Sequence, residues 1–310
     1  MTRVLVQLRE SLVRRIAEAV PEAVVIAIPW EGDLPPDVAG EVLVTLPWAS
    51  PNLAQALGRG VRWVHALGTG VDRFPTELLG DRILTCSRGG SAVPIAEWVL
   101  AVMLAFEKRL PDAWIHDVPP DGWSRAHLGG LHGRTLGLVG VGGIGAAVVE
   151  RARPFGMRIL AVRRTAGRPG QPGVEIVPTV EDLVRDADHV VIAAPATAET
   201  RHLFDDAVFD AMKPGAHLVN VARGALVDEA ALRRALDDGR VACASLDAVE
   251  PEPLPRGHWM YEHPRVRLSP HVSWNMPGAA ELLLDVVIEN LRHWRAGEPL
   301  VGLVDRTSGY

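Results

Sequence analysis

Short runs of β-branched and other apolar residues alternate with amphipathic stretches from the first residues onward. The first runs are RVLVQL, AVVIAI, EVLVTL, VRWVHAL and RILTCS, and SLVRRIAEAV between the first two has apolar positions at helical spacing. Strand-like and helical segments that alternate in this way are typical of a parallel sheet covered by helices. The first part of the chain is therefore predicted to form an α/β domain.

A second series of the same kind begins at Thr135. Its apolar runs are TLGLVG, MRILAV, HVVIAA, HLVNVA, VACASLDA and VRLSP. A chain of 310 residues is also too long for one ordinary compact core. We therefore predict two sheets, and hence two domains.

The two series are joined by PIAEWVLAVMLAFEKRL, whose helical pattern begins after Pro94, and by a segment rich in Pro, Gly and Trp at residues 111–134. The first predicts a helix that crosses between the domains, and the second predicts an extended segment. Exposed Trp114 and Trp123 in that segment would suit the subunit contact of a homodimer. The alternative is that both tryptophans pack on their own domain.

Composition and charge exclude several classes of partner. The formal net charge is −6 and Arg is mixed with Asp and Glu, which argues against a surface that neutralises the phosphates of a nucleic acid. The chain is 48% hydrophobic and 23% charged, as in a globular protein, and no apolar run is long enough to cross a membrane. The N-terminal MTRVLVQLRE becomes charged too early for a signal peptide, so a cytoplasmic location is expected.

The sequence shows no metal-ligand spacing. Cys86 and Cys243 are far apart and form no C-x-x-C pair, which fits core thiols in a reduced compartment. His258 and His263 have an H-x-x-x-x-H spacing, but no Cys or carboxylate set completes a site. No metal is expected.

The run TLGLVGVGGIGAAVVERA contains a G-x-G-x-x-G motif at Gly140, Gly142 and Gly145. An apolar strand precedes the motif and an Ala/Val-rich helix follows it, so the bare backbone of the turn can approach a pyrophosphate at a helix N-terminus. A merely tight strand-to-helix turn is the alternative. The context favours a dinucleotide site.

Two arginines stand at the end of the next strand, where this fingerprint expects an acid for the adenosine ribose. Arg163 and Arg164 are followed by Thr165. An arginine cannot accept a ribose hydroxyl proton, but it can bind a 2′-phosphate. NADP(H) is therefore the preferred cofactor, with NAD(H) possible; solvated surface arginines are the alternative.

Three apolar runs of the second series each end in polar residues. HLVNVA leads to Arg223, VACASL to Asp247 and then Glu252, and VRLSP to His271. Ligands of open α/β sheets bind beyond the carboxyl ends of the strands. These four residues are therefore expected to converge on one site.

At these residues the chain resembles the D-isomer-specific 2-hydroxyacid dehydrogenases. The matching motifs are GVGGIG, PATAETRHLF, MKPGAHLVNVARGALVDEAAL, LDAVEPEPLP and SPHVSW, in this order. The resemblance implies a flavodoxin-like substrate domain at residues 1–97 and 281–310. It also implies a Rossmann-like, doubly wound dinucleotide-binding domain at residues 98–280.

The resemblance also implies roles for the polar residues. Arg223 would hold the substrate carboxylate and polarise the carbonyl. His271 would protonate the keto oxygen as hydride arrives, and Glu252 would orient the imidazole and stabilise its charged form. Asp247 would hold the nicotinamide carboxamide. Cofactor contacts are also implied for the glycine turn and for the ends of two further strands: Gly140, Gly142, Gly143, Ile144, Gly145, Ala194, Pro195, Val221 and Ala222.

The first domain would contribute Thr69 and Gly70 of ALGTGVD, a turn whose backbone N–H groups would bind the substrate carboxylate; an ordinary turn is the alternative. Two residues depart from the family pattern. Arg88 stands where uncharged residues are frequent, which indicates either a more anionic substrate or solvent exposure. Trp274 is bulky where small residues are frequent, and would narrow the pocket.

The expected activity is NADPH-dependent reduction of a small 2-keto acid, such as glyoxylate or hydroxypyruvate, to the D-2-hydroxy acid. An alternative within the family is an NAD-linked dehydrogenase of a larger or phosphorylated hydroxy acid. An alternative of another class is a dinucleotide-sensing co-regulator, although the complete set of Arg223, Glu252 and His271 favours an enzyme.

Overall fold

The computed structural model describes residues 1–48, 50–118, 123–163 and 171–305. The chain divides into two compact units, Met1–Ser91 with Met276–Tyr310 and Ala92–Asn275. The boundaries expected from the sequence, after residues 97 and 280, lie a few residues further along the chain. Among the described residues, no helix combines the length and apolar character needed to span a membrane.

The first unit contains a sheet of five parallel strands. The strands are β1 (Arg3–Val6), β2 (Val24–Ala27), β3 (Val42–Thr45), β4 (Trp63–Ala66) and β5 (Ile83–Cys86). They lie in the order β2-β1-β3-β4-β5, which is the flavodoxin-like order. Strands β3 and β4 are buried along their whole length, as expected for parallel strands covered on both faces.

Helices cover both faces of this sheet. They are α1 (Glu10–Ala19), the short α2 (Leu53–Leu57) and a C-terminal helix (Ala279–Ala296). Leu284 and Leu291 of the C-terminal helix are buried in one cluster with residues of α1, β1 and β3. The last helical stretch of the sequence therefore belongs to the core of the first unit.

The second unit contains seven parallel strands. They are β6 (Thr135–Val139), β7 (Arg158–Val162), β8 (Val174–Ile176), β9 (His189–Ile192), β10 (Ala216–Asn220), β11 (Val241–Leu246) and β12 (Val266–Leu268). The order β12-β11-β10-β9-β6-β7-β8 is that of a doubly wound Rossmann-like sheet, with its switch point between β6 and β9. The predicted fold class is confirmed. Strand β8 was not anticipated, because it is a short edge strand with little burial.

Five α-helices of this unit are described: α3 (Ala92–Glu107), α4 (Gly143–Ala152), α5 (Val180–Asp186), α6 (Asp206–Ala211) and α7 (Glu229–Asp237). The prediction that the first of them starts after Pro94 was wrong. Helix α3 begins at Ala92, because a proline in the first turn removes an N–H that has no intrahelical partner. Buried residues of α3 and α4 share one hydrophobic cluster, so α3 is part of the core of the second unit.

The segment after α3 exposes aromatic and aliphatic side chains. Trp114 is 66% exposed and Trp123 is 76% exposed, and Ile115 and Leu128 are also exposed. Residues 119–122 lie outside the described part of the chain. The two tryptophans therefore do not pack into the core of their own unit.

A chain of polar side chains crosses the core of the second unit. His189 Nε2 lies 3.0 Å from Glu107 Oε1, and its Nδ1 lies 3.2 Å from His217 Nδ1. His217 Nε2 is hydrogen-bonded to Ser245 Oγ at 2.9 Å, and its ring stacks on Phe106 with the centroids 4.6 Å apart. Glu107, His189, His217 and Ser245 are all buried. Burial is the main reason that the pKa of His217 lies well below its usual range.

Candidate active site

The three glycines of the G-x-G-x-x-G turn differ in how much space a Cβ would have at each position. Gly140 has φ +99° and a Cβ there would come within 2.9 Å of the Ala193 carbonyl oxygen. A Cβ at Gly145 would overlap the carbonyl oxygen of Gly140, whereas a Cβ at Gly142 would meet no heavy atom within 4 Å. The first and third glycines are therefore needed for the turn itself, and the second faces open space.

That open space could hold the phosphates of a dinucleotide. It lies at the start of α4, whose first N–H groups have no intrahelical partners and attract an anion. Gly143 and Ile144 form the first turn of this helix, and Ala194 lies against Gly140. Ala194 and Pro195 follow strand β9, and the remaining predicted cofactor contacts, Val221 and Ala222, follow the neighbouring strand β10. All of them lie at the carboxyl edge of the sheet, close to its switch point.

Arg163 directly follows β7 and is half-buried. The Gly140 N–H donates to the carbonyl of Val162 at 3.0 Å, which holds the end of β7 beside the glycine turn. Arg163 therefore begins the loop next to the glycine turn. Arg164 and Thr165, the other two residues predicted to bind the 2′-phosphate, lie outside the described residues.

His271 and Glu252 form a hydrogen-bonded pair. His271 Nδ1 lies 2.9 Å from Glu252 Oε2 and 3.1 Å from Oε1, and the His271 side chain is 39% exposed. Because the carboxylate accepts from Nδ1, Nε2 is the nitrogen that changes its proton toward a ligand. The backbone N–H of Val249 also donates to Glu252 Oε1 at 3.2 Å, which helps to hold the carboxylate.

The backbone of His271 is in the left-handed region, with φ +55°. Such a conformation costs a non-glycine residue about 1–3 kcal/mol and persists only where surrounding contacts enforce it. The indole N–H of Trp274 donates to the His271 carbonyl at 3.0 Å, and the His271 N–H donates to the Ser269 carbonyl at 3.0 Å. Asp247, at the end of the neighbouring strand β11, accepts hydrogen bonds from the same loop.

Arg223 stands in a tight turn after β10. The turn is held by Asn220, which is buried and donates from Nδ2 to the carbonyls of Arg223 at 2.9 Å and Ala248 at 3.3 Å. Asn220 Oδ1 accepts from the Ala222 N–H at 3.0 Å. Sequence reasoning assigned no role to Asn220, although a polar residue at the end of an apolar strand was visible in HLVNVA.

The structure thus brings the polar residues of the second unit to one edge. Arg223, Asp247, Glu252 and His271 all follow the carboxyl ends of β10, β11 and β12, which are neighbours in the sheet. Thr69 and Gly70 belong to the first unit, where Thr69 Oγ1 lies 2.6 Å from Ser91 Oγ. Their role in binding a substrate remains a prediction.

The two histidines with H-x-x-x-x-H spacing are not ligands of a common site. His258 Nε2 lies 3.0 Å from Glu229, whereas His263 Nε2 lies 3.2 Å from Asp237. In the part of the chain that the structure describes, no group of three or more His, Cys, Asp and Glu residues could hold a metal ion.

Comparison with known families identifies the second unit. Residues 100–273 match the family described as D-isomer specific 2-hydroxyacid dehydrogenase, NAD binding domain. The chain belongs to the D-isomer-specific 2-hydroxyacid dehydrogenase family. The matched residues include the glycine turn, Arg223, Glu252 and His271.

Curated members of this family align with the chain over part of their length. Glyoxylate reductase of Thermococcus kodakarensis is 36% identical over 68% of this chain and 66% of that protein. D-3-phosphoglycerate dehydrogenase of Bacillus subtilis is 33% identical over 78% of this chain and 47% of that protein. The chain spans between 45% and 66% of the length of curated relatives that it matches.

Solved structures align over the whole chain. The D-isomer specific 2-hydroxyacid dehydrogenase from Xanthobacter autotrophicus Py2, solved in complex with NADPH and MES, is 25% identical. The alignment covers 100% of this chain and 99% of that chain, with a TM-score of 0.85. The TT0316 protein from Thermus thermophilus is 31% identical, over 98% of this chain and 100% of that chain, with a TM-score of 0.75.

Proposed function

We propose that the protein reduces a small 2-keto acid, of the glyoxylate or hydroxypyruvate type, to the D-2-hydroxy acid with NADPH. The observation that carries this proposal is the His271–Glu252 pair, at the same carboxyl edge of the sheet as the glycine turn. An imidazole held by a carboxylate is suited to deliver a proton to an oxygen as negative charge develops there. The glyoxylate reductases among the curated relatives support the substrate class.

In this reaction His271, Glu252 and Arg223 would each have a separate role. The bound dinucleotide supplies the hydride. His271 donates the proton from Nε2 to the keto oxygen, while Glu252 keeps Nδ1–H in place and stabilises the imidazolium until the transfer. The guanidinium of Arg223 binds the carboxylate of the keto acid through parallel N–H donors and polarises the carbonyl.

The preference for NADPH over NADH rests on Arg163. Its position beside the glycine turn would bring a cation to the 2′-phosphate, where NADH carries a hydroxyl. A relative of known structure was solved with NADPH. Arg164 and Thr165 belong to the same proposed contact by their place in the sequence alone.

Three further parts of the proposal concern substrate binding, subunit pairing and location. Thr69 and Gly70 would bind the substrate carboxylate through backbone N–H groups of their turn. The exposed Trp114 and Trp123 would pair two subunits as a homodimer, because large aromatic side chains are enriched in such contacts. A cytoplasmic location is proposed with the same function.

The proposal is tested by a panel of 2-keto acids with NADPH and NADH, followed by absorbance of the reduced nicotinamide. We expect glyoxylate or hydroxypyruvate to be reduced faster with NADPH, and chiral products to be the D-isomer. The panel includes phosphohydroxypyruvate, since a D-3-phosphoglycerate dehydrogenase is among the relatives and would favour an NAD-linked enzyme for a phosphorylated acid. Dinucleotide binding without turnover of any keto acid would contradict an enzymatic role and favour a sensor.

A further inference from the structure

The turn that carries Arg223 is held by one buried amide. Asn220 is the last residue of β10 and is 1% exposed. Its Nδ2 donates to the Arg223 carbonyl at 2.9 Å and to the Ala248 carbonyl at 3.3 Å, and its Oδ1 accepts from the Ala222 N–H at 3.0 Å. One side chain therefore binds both Ala222 and Arg223 and ties them to the loop after β11.

The guanidinium of Arg223 contacts the same short segment. Arg223 Nη1 donates to the Ala222 carbonyl at 2.8 Å, while the Ala222 N–H donates to Asn220 Oδ1. Ala222 is thus bound to the amide of Asn220 through its N–H and to the guanidinium through its carbonyl. A displacement of Ala222 would therefore move the guanidinium as well.

The chemistry of this contact requires an amide, because the side chain both donates and accepts. A carboxylate of the same shape could still accept from the Ala222 N–H, but its other oxygen would face the carbonyl oxygens of Arg223 and Ala248. Asn220 and Ala248 are buried, so water does not replace the lost bonds. Buried acceptors without a donor are costly, so the turn would shift.

We propose that Asn220 is a positioning residue for substrate binding, acting through Ala222 on the guanidinium of Arg223. The inference rests on the proposed function, because it takes Arg223 as the group that binds the carboxylate of the keto acid. A guanidinium binds a carboxylate through two parallel N–H donors, so the contact depends on its orientation. A purely structural Asn220 would stabilise the ends of β10 and β11 without an effect on this contact.

Oxamate tests the contact without turnover. It carries the carboxylate of a 2-keto acid but has an amide in place of the reacting carbonyl. Its Kd is measured by calorimetry on protein saturated with NADPH. In Asn220→Asp we expect this Kd to rise by about 10- to 100-fold, since a small misplacement of a positioned group has an effect of this size. An unchanged Kd in this variant would overturn the proposal.

A double-mutant cycle shows whether the effect passes through Arg223. Arg223→Gln removes the charged donors and should itself weaken oxamate binding. In that background Asn220→Asp should change the Kd by less than about twofold, the tolerance within which independent sites are additive. If Asn220→Asp weakens oxamate by the same factor with and without Arg223→Gln, the effect comes from elsewhere, such as the cofactor contacts, and the proposal is overturned.

Two further variants separate positioning from stability. Asn220→Ser removes the same bonds without a buried charge, and we expect the same pattern. Asn290→Asp is the matched control, because Asn290 is also buried and binds the N–H and the carbonyl of Val301, at 2.7 and 2.8 Å, in the first unit. It should lower Tm and leave the Kd of oxamate unchanged. An equal rise of Kd in this control would overturn the proposal, since lost stability would then explain both.

Amide hydrogen exchange separates this inference from the proposed function. The Val227 N–H donates to the Gly224 carbonyl at 2.9 Å, directly after Arg223. We expect its exchange to be faster in both Asn220 variants and unchanged in Asn290→Asp. Unchanged exchange in the Asn220 variants would overturn the positioning role even in an active enzyme. Faster exchange in a protein that neither binds oxamate nor reduces a keto acid would leave the hold on the turn standing and contradict only the proposed function.

Discussion

Glu252 accepts a hydrogen bond from His271, with 2.9 Å between Oε2 and Nδ1, although the two residues are 19 positions apart in the chain. The contact joins the loop after β11 to the loop after β12, two strands that are neighbours in the sheet. It fixes the tautomer of the neutral imidazole, with Nε2 as the acceptor, and it stabilises the imidazolium that has Nε2–H as the donor. In the proposed reaction, one arrangement would serve both directions of the proton transfer.

Replacing His271 with Ala removes the proposed proton donor. We expect kcat for keto acid reduction to fall by about 10²- to 10⁴-fold, the usual contribution of general acid catalysis. Binding of the dinucleotide should be retained, because the glycine turn is untouched. The measurement is steady-state kinetics together with the Kd of NADPH. A wild-type kcat in this variant would mean that another group is the acid.

Replacing Glu252 with Gln keeps the size of the side chain but removes the carboxylate that accepts from His271 Nδ1. The imidazole then loses the partner that holds its ring in place for proton transfer. We expect kcat for keto acid reduction to fall by up to about 100-fold, the effect of a small misplacement of a reacting group. The Kd of NADPH should be unchanged, because the glycine turn is untouched. The check is steady-state kinetics beside NADPH binding, and a wild-type kcat in this variant would show that Glu252 does not act on His271.

Arg163→Asp should change the choice of cofactor. The change removes a charge-assisted contact worth roughly 1.5–3 kcal/mol and places a carboxylate against the 2′-phosphate. The ratio of kcat/KM for NADPH over NADH should fall by at least about tenfold on that estimate, at one fixed salt concentration because the contact is screened.

Arg153→Asp is the matched control for Arg163→Asp. It makes the same change of charge at an exposed residue just after α4, at the end of the helix remote from the glycine turn. The ratio should be unchanged in this variant. A wild-type ratio near or below one would contradict the NADP preference and leave Arg163 as surface charge.

Two alanine substitutions in the glycine turn should have different effects, one on dinucleotide binding and the other on stability. Gly142→Ala adds a Cβ in open space, so the fold should be stable, but the Kd of the dinucleotide should rise roughly 5- to 150-fold for a steric cost of about 1–3 kcal/mol. Gly145→Ala forces a Cβ onto the Gly140 carbonyl and should lower the thermal stability. Calorimetric binding and Tm separate the two effects. An unchanged Kd in Gly142→Ala would contradict the phosphate cradle.

The buried histidines predict a loss of stability in acid. Burial lowers the pKa of His65 to about 3, and that of His217, beside His189 and Arg267, well below its usual range. Above about pH 6.5 these histidines are neutral in the folded and in the unfolded state, so their titration does not lower the free energy of unfolding. Below that pH the free energy of unfolding declines by about 1.4 kcal/mol per pH unit for each histidine, because only the unfolded state binds the proton.

The check is the free energy of unfolding in urea between pH 5 and pH 8, in wild type and His217→Gln. The variant should show a flatter dependence over the acid part of this range. His116→Gln, a change at an exposed histidine, is the matched control. Parallel curves for wild type and His217→Gln would show that His217 is not held neutral by the fold.

The two-domain α/β fold was accessible from the sequence because its signals are local. The alternation of apolar strands with helical segments from β1 to β12 depends on residues that are near one another in the chain. The same holds for the glycine turn between β6 and α4. Strand β8 and the start of α3 at Ala92 were missed, because a short exposed strand and a proline in a first turn leave weak local signals.

The sequence by itself determined which chemical groups stand at the ends of the strands, among them Arg223, Glu252 and His271. The family resemblance implied that Glu252 orients His271, but the geometry of this pair and its further contacts came only from the tertiary structure. The hold of Asp247 on the His271 loop depends on the adjacency of β11 and β12, and no spacing in the chain encodes that adjacency. The contact of His189 with His217 likewise depends on the register of β9 against β10. Local patterns come from short-range sterics and burial, whereas these contacts exist only once distant strands have packed side by side.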